Sequence, residues 1–408
     1  MPLGFANNIF TASSTTAGAD WANWDGTNDS TITVTSITTG SNYGRWIGFC
    51  DFNDDYGLVF ATHNKSGASN DDIVYAKLQN SDDTLTYSGQ AVHLTTSGTT
   101  FSSEHGSIVK TNGGNIFANI GDLGDGARIY SISGSTVTQH TNFDSSSTES
   151  SKNCQFFRQP SSNVYVNLQN QAIGELVTLT DNGNSSSDST GTETGLANPS
   201  SDWFFSKNYI IPGFVDEDTP IRLKSPTADN GDDGLPVKMD LTSTGSGQTP
   251  GTFAGLSAQT FNLNASTTNA LEFYRNATSP FPTTDFNDRM LFIERDNTVD
   301  KLRMTNYKAG DTSYSQATLT DSDIPISDTS VQGIFVGSNN TIFLFTIMDI
   351  PNDKIWIFRY NTSTNVLEKV LSIDHGEDFD QERVKLCRWG NDRAVLMYND
   401  NKIRLLVP

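Results

Sequence analysis

The run TSVQGIFVG (329–337), NNTIFLFTIMD (339–349), DKIWIFRYN (353–361) and NVLEKVLSID (365–374) decides the fold. Each piece is short, rich in β-branched and aromatic residues, and bounded by Asn, Asp, Gly or Ser. That is the composition of four strands joined by tight turns. No segment of the chain sustains the 3.6-residue apolar period of a long helix.

Reading outward, the same grammar recurs. RWIGFCDF, YGLVFATH, DDIVYAKLQ and TLTYSGQAVHL fill 45–94, and HGSIVKT, NIFANIGD, ARIYSIS and STVTQH fill 105–140. KNCQFFRQ, NVYVNLQ and GELVTLTD open a unit over 152–195 whose fourth strand is weak. Further units cover 201–242, 270–321 and 329–374. The last, 383–407, has only three strands: RVKLCRWG, RAVLMYND and KIRLLV. An alternating strand without a partner, TITVTSI (31–37), precedes the first unit and can supply the fourth. Six complete units and one split unit predict an all-β, seven-bladed β-propeller of four-stranded antiparallel blades. Its ring is closed by the N-terminal strand joining the C-terminal blade. Radial packing buries both faces of each sheet, and closure leaves only short, protected edges. Deleting 31–37 is expected to lower the melting temperature by several degrees. The alternative is two stacked β-sandwiches, with 184–200 and 244–268 as linkers instead of insertions between blades.

Composition agrees. Lys and Arg number 26 and Asp and Glu 47, for a net charge of −21, and the acids are 37 Asp against 10 Glu. Glu suits helices, whereas Asp prefers caps and turns. The charge disfavours nucleic-acid binding, which needs a basic stripe. No run approaches the ~18 apolar residues of a membrane span. MPLGFANNIF carries no basic region followed by a long apolar stretch, so a secretory signal is not expected there. Cys50, Cys154 and Cys387 are too few and too scattered for a disulfide framework or a metal pair, and each sits in an apolar run.

The most chemical-looking stretch is DFNDDYGLVFA (51–61). It resembles the calcium loop of FG-GAP-type propeller repeats, Asp-x-Asn-x-Asp-Gly-x-x-Asp. The resemblance implies Asp51, Asn53 and Asp55 as oxygen ligands for calcium, a hard cation that suits alternate carboxylate and amide oxygens. Tyr56 stands where that pattern has Gly, Gly57 comes one place late, and Val59 replaces the last acid. Asn recurs before the second strand of other units, as in DFNDRMLF (285–292) and SNVYVNL (162–168), which equally fits a turn requirement. No other cofactor is expected. The densest ionisable cluster is DHGEDFD, with Asp374, His375, Glu377, Asp378 and Asp380, on a crossover between units. It is a candidate binding loop, and otherwise a solvated turn. No nucleophile elbow, zinc pair or phosphate loop appears, and no catalytic residue is assigned.

The arm, residues 1–30, stands outside the repeats and carries Phe5, Phe10, Trp21 and Trp24. Those side chains either pack along the outside of the first and last blades or dock onto a partner.

In style the chain resembles structural proteins of tailed-phage particles: Asn/Ser/Thr/Gly-rich strands, a separate N-terminal arm and no enzyme signature. The resemblance implies a non-enzymatic tail- or fibre-associated component of a virion, assembled in the host cytoplasm. It would dock by its arm onto other virion proteins or copies of itself and present loops to protein or host glycan. Strong acidity would suit a salty, marine setting. Alternatives are a free extracellular lectin, or a propeller glycosidase or lyase using loop acids such as Asp374 or Glu377.

Overall fold

The computed structural model describes residues 20–27, 30–34, 45–64, 71–95, 363–374, 384–390, 392–399 and 401–408, and between 95 and 361 the strands named below. β1 is Ser30–Thr33. β2 to β5 are Arg45–Asp51, Tyr56–Asn64, Asp71–Ser81 and Thr84–Thr95. β6 to β9 are Ser107–Lys110, Ile116–Ile120, Arg128–Ser133 and Thr136–Gln139. β10 to β13 are Asn153–Arg158, Val164–Gln169, Gly174–Thr180 and Ser189–Gly195. β14 to β18 are Gly213–Asp216, Thr219–Lys224, Asp233–Lys238, Gly251–Thr252 and Phe261–Asn262. β19 to β22 are Leu271–Phe273, Arg289–Asp296, Lys301–Lys308 and Ser315–Leu319. β23 to β26 are Val331–Val336, Ile342–Asp349, Lys354–Asn361 and Val366–Asp374. β27 to β29 are Lys385–Trp389, Arg393–Tyr398 and Lys402–Leu406.

Among the described residues these strands form seven sheets, and within each the neighbours run antiparallel in sequence order. The chain is all-β. Two sheets depart from sequence order: β18 pairs β16, and in the sheet β1-β29-β28-β27 the most N-terminal strand lies beside the most C-terminal one. Ser30 pairs Leu405, Thr31 Arg404, Ile32 Ile403 and Thr33 Lys402. The pairing strand is four residues long, shorter than the expected 31–37, and residues 35–37 lie outside the described ones. Opening strands of successive sheets stand side by side: β23 next to β27, β27 next to β2, β2 next to β6 and β6 next to β10.

Two boundaries differ from expectation. The expected first strand at 201–207 lies outside the described residues, and that sheet runs from Gly213 to Thr252 instead of 201–242. Its strand Gly251–Thr252 and the added Phe261–Asn262 fall inside 244–268, which composition reads as a linker. β13, STGTETG, falls within the expected unit 152–195 as its fourth strand, and lies in the stretch 184–200. Backbone hydrogen bonds alone can add such a strand to an edge, and they leave no apolar signature.

The terminal sheet shows why KLCRW and RAVLMY read as continuous apolar runs. Side chains alternate between two faces of a strand, and here both faces are covered. Leu386, Ala394, Leu396, Tyr398 and Leu406 join a core with Val336, Ile342, Leu344, Ile355, Ile357 and Ile373 of the sheet before. Cys387, Trp389, Val395, Met397, Ile403 and Leu405 join a second core with Trp46, Phe49, Val59, Ala61, Ala76 and Leu78 of β2–β5. One sheet thus glues the end of the chain to its beginning.

Candidate functional site

The seam between the terminal sheet and β2–β5 holds the loop singled out from sequence. Asn53 makes an Asx turn: its side-chain oxygen accepts hydrogen bonds from the backbone N–H of Asp55 at 3.0 Å and of Tyr56 at 2.8 Å. The Tyr56 carbonyl accepts from Phe52 N at 2.8 Å and Asn53 N at 3.3 Å, closing the turn. The Asp51 carboxylate faces the other sheet and accepts from the Gly390 N–H at 3.2 Å. The Asp54 and Asp55 carbonyls accept from the Asn80 side-chain and backbone N–H groups, so the loop is also tied to β4.

Of the three expected calcium ligands, Asn53 therefore serves its own backbone and Asp51 the neighbouring sheet. Among the described residues, no group of three or more His, Cys, Asp or Glu side chains could hold a metal ion.

Two indoles cross this seam in opposite directions. Trp46 of β2 donates to the Asn399 carbonyl at 2.6 Å, and Trp389 of β27 donates to the Asn53 carbonyl at 2.8 Å. Both rings are about 1% exposed, so each places a hydrogen bond inside a dry interface. The Phe49 ring lies 4.8 Å from Trp389. Gly57 backs that ring: a Cβ on Gly57 would fall 2.2 Å from two Phe49 carbons. The late glycine of the loop is thus a packing requirement of Phe49. Nearer the surface, Arg393 of β28 pairs with Asp83 at 2.6 Å.

The other seam, between the terminal sheet and β23–β26, receives the arm. Trp21 and Trp24, 1% and 4% exposed, are part of its core, with ring centroids 5.5 Å apart. In this arrangement both rings pack into the chain's own body, the first of the two alternatives for the arm; Phe5 and Phe10 lie outside the described residues. Arg359 of β25 donates to the carbonyls of Trp21 at 3.3 Å and Trp24 at 2.6 Å, and is held by Glu368 of β26. Arg404 of β29 donates to the Gly26 carbonyl at 3.1 Å. Gly26 adopts a φ of +76°, which lets the segment turn against Leu371 toward β1. Hydrogen bonds from the Thr27 hydroxyl and N–H to Asp25 brace that turn, and they hold the Asp25 carboxyl below its ordinary range.

β1 is fastened further. The Ser30 hydroxyl accepts from Leu85 N at 3.1 Å, Val34 N donates to the Asn401 carbonyl at 2.9 Å, and Lys402 donates to the Thr33 hydroxyl at 2.6 Å. Burial pushes the Tyr398 hydroxyl up, opposed by Arg404 and by a hydrogen bond with Thr31.

Of the candidate binding loop, Asp374 is exposed at the end of β26, opposite Lys354. His375, Glu377, Asp378 and Asp380 lie outside the described residues. Sequence reasoning missed Arg359 and Arg404, whose only signal is a cation flanked by apolar residues inside a strand.

No family model and no curated protein matches the chain. Among solved structures it is similar to YCF48 bound to D1 peptide, at 7% identity over 93% of this chain and 97% of that one, with a TM-score of 0.47. It is also similar to the WD40 domain of SCAP from fission yeast, at 7% identity over 93% and 98%, TM-score 0.46. A third is the fucose-specific lectin from Aleuria aurantia, at 11% identity over 79% and 92%, TM-score 0.43.

Proposed function

We propose that the chain is a closed seven-bladed β-propeller acting as a non-enzymatic binding and structural scaffold, in the setting of a phage tail or fibre. One observation carries the scaffold reading. The polar side chains at both seams of the terminal sheet fasten blade to blade. Asp51 and Asn53 hold a turn against Gly390, Arg393 holds Asp83, and Arg359 and Arg404 hold the arm. A rigid ring whose inner residues serve closure presents its outer loops in fixed positions, as recognition surfaces require. The virion setting rests on composition and on the apolar Phe5 and Phe10 that the sequence carries ahead of the repeats. Partners on this reading are other virion proteins, copies of the chain, or a host surface glycan.

The test is to purify particles from the source and quantify this chain by mass spectrometry, alongside binding of the isolated chain to a glycan array. Fixed stoichiometry in particles supports the virion role. Absence from particles together with tight binding to one glycan class would move the reading to a free lectin. Turnover of a bound polysaccharide would overturn the non-enzymatic reading.

A further inference from the structure

We infer that residues 20–33 form an exchangeable clasp, so that the seam beside β23–β26 and β29 can take this segment from a second copy of the chain. The inference rests on the closure proposed above and goes beyond it to an interaction surface and its occupant.

The segment meets the body as a ligand would. Two indole rings enter an apolar groove between two sheets, and a four-residue strand then adds to the free edge of β29. Edge addition with side-chain anchors is a general mode of peptide recognition. The cations that hold it read backbone: Arg359 takes two carbonyls and Arg404 a third. Every one of these contacts is indifferent to whether the segment arrives in cis or in trans, which is the condition for low-cost exchange between identical protomers.

The clasp is also an incompletely satisfied part of the seam. The indole N–H groups of both Trp21 and Trp24 are buried without a hydrogen-bond partner, in contrast to Trp46 and Trp389, whose N–H groups both have one. The Trp356 N–H of β25 is buried without a partner as well; a buried unpaired donor destabilises the state that buries it, so opening the segment relieves two such donors. The chemistry of the occupant is thereby fixed: a Trp-x-x-Trp segment followed by a short alternating strand. Within this sequence 20–33 supplies it.

The test uses the full chain carrying Thr33→Cys and Lys402→Cys, a cross-strand pair whose side chains now touch. A short thiol cross-linker is applied across a concentration series, with the wild-type chain as the blank for native cysteines. Interchain product that rises in proportion to concentration at low occupancy, up to about tenfold per tenfold, supports exchange. Efficient intrachain linkage with no interchain product at any concentration overturns exchange and leaves closure standing. Linkage no greater than the blank, of either kind, overturns closure itself. As a second arm, a labelled peptide of residues 18–34 is added to the unmodified chain. Saturable binding that is lost in the peptide bearing Trp21→Ala and Trp24→Ala supports exchange, and equal binding of both peptides overturns the anchoring role.

Discussion

Gly57→Ala tests whether the loop at 51–57 exists for packing. Its Cβ would lie 2.2 Å from two carbons of the Phe49 ring and 3.0 Å from the Cys50 carbonyl oxygen. Carbon atoms sit comfortably at about 3.5–4.0 Å, so the ring must retreat by roughly 1.5 Å. The retreat is blocked, because Phe49 is fully buried and Trp389 stands 4.8 Å behind it. Overpacking a close-fitted core costs about 1–3 kcal/mol, and the upper half of that range is expected here. Moving Trp389 would also disturb its hydrogen bond to the Asn53 carbonyl. Guanidinium unfolding followed by tryptophan fluorescence measures the loss. Combining Gly57→Ala with Phe49→Leu should recover stability relative to the sum of the single variants, a coupling that reports direct contact. Gly57 is not among the glycines with positive φ. If the single variant loses less than about 0.5 kcal/mol, or the pair is additive, the packing explanation fails.

Three further outcomes are expected. Trp24→Ala should cost about 3–5 kcal/mol in denaturant titrations, whereas a loss under about 1 kcal/mol would remove the ring from the core. Asn53→Ala should cost about 0.5–1.5 kcal/mol, because the two backbone N–H groups it frees lie in an exposed turn and rebond to water, with melting curves indifferent to added calcium or chelator. A calcium-dependent rise would instead support the cation reading of the loop. Tyr398 carries a raised pKa in the folded chain, so above about pH 10 the unfolded state loses its phenolic proton first and stability falls as pH rises. Tyr398→Phe should flatten that alkaline slope, and identical slopes would refute the assignment.

What was legible in the sequence follows from which interactions carry a side-chain signature. Strands such as KIWIFRYN and RAVLMY announce themselves because both faces are buried, which forces continuous apolar runs. STGTETG and the pair Gly251–Thr252 join their sheets through backbone bonds, and their composition is that of a linker. Trp21 and Trp24 show the limit at a site. An apolar residue on an arm signals that it will be buried, and carries no information on whether the groove belongs to the same chain. Arg359 helps form that groove, yet a cation within IWIFRY reads as a solvated interruption until the Trp21 and Trp24 carbonyls are seen against it.

Two of the chain's aspartates have a conformational role that can be separated from charge. Among the described residues, every non-glycine with positive φ is Asp or Asn: Asp82 at 50°, Asp83 at 60°, Asn365 at 56° and Asn399 at 50°. Left-handed backbone costs an ordinary L-residue about 1–2 kcal/mol, and Asp and Asn escape part of this through local hydrogen bonds. Asp82 and Asp83 occupy the two central positions between the paired residues Ser81 and Thr84, where a two-residue hairpin demands positive φ at both. Asp83 has a second role with Arg393, so Asp82 is the clean probe. Asp82→Asn should leave stability within about 0.5 kcal/mol, and Asp82→Gly should be neutral or slightly stabilising. Asp82→Val should cost about 1–2 kcal/mol, since a β-branched residue tolerates this region least. If Asp82→Asn proved as damaging as Asp82→Val, the carboxylate charge would be the selected property and the turn explanation of the Asp excess would fall.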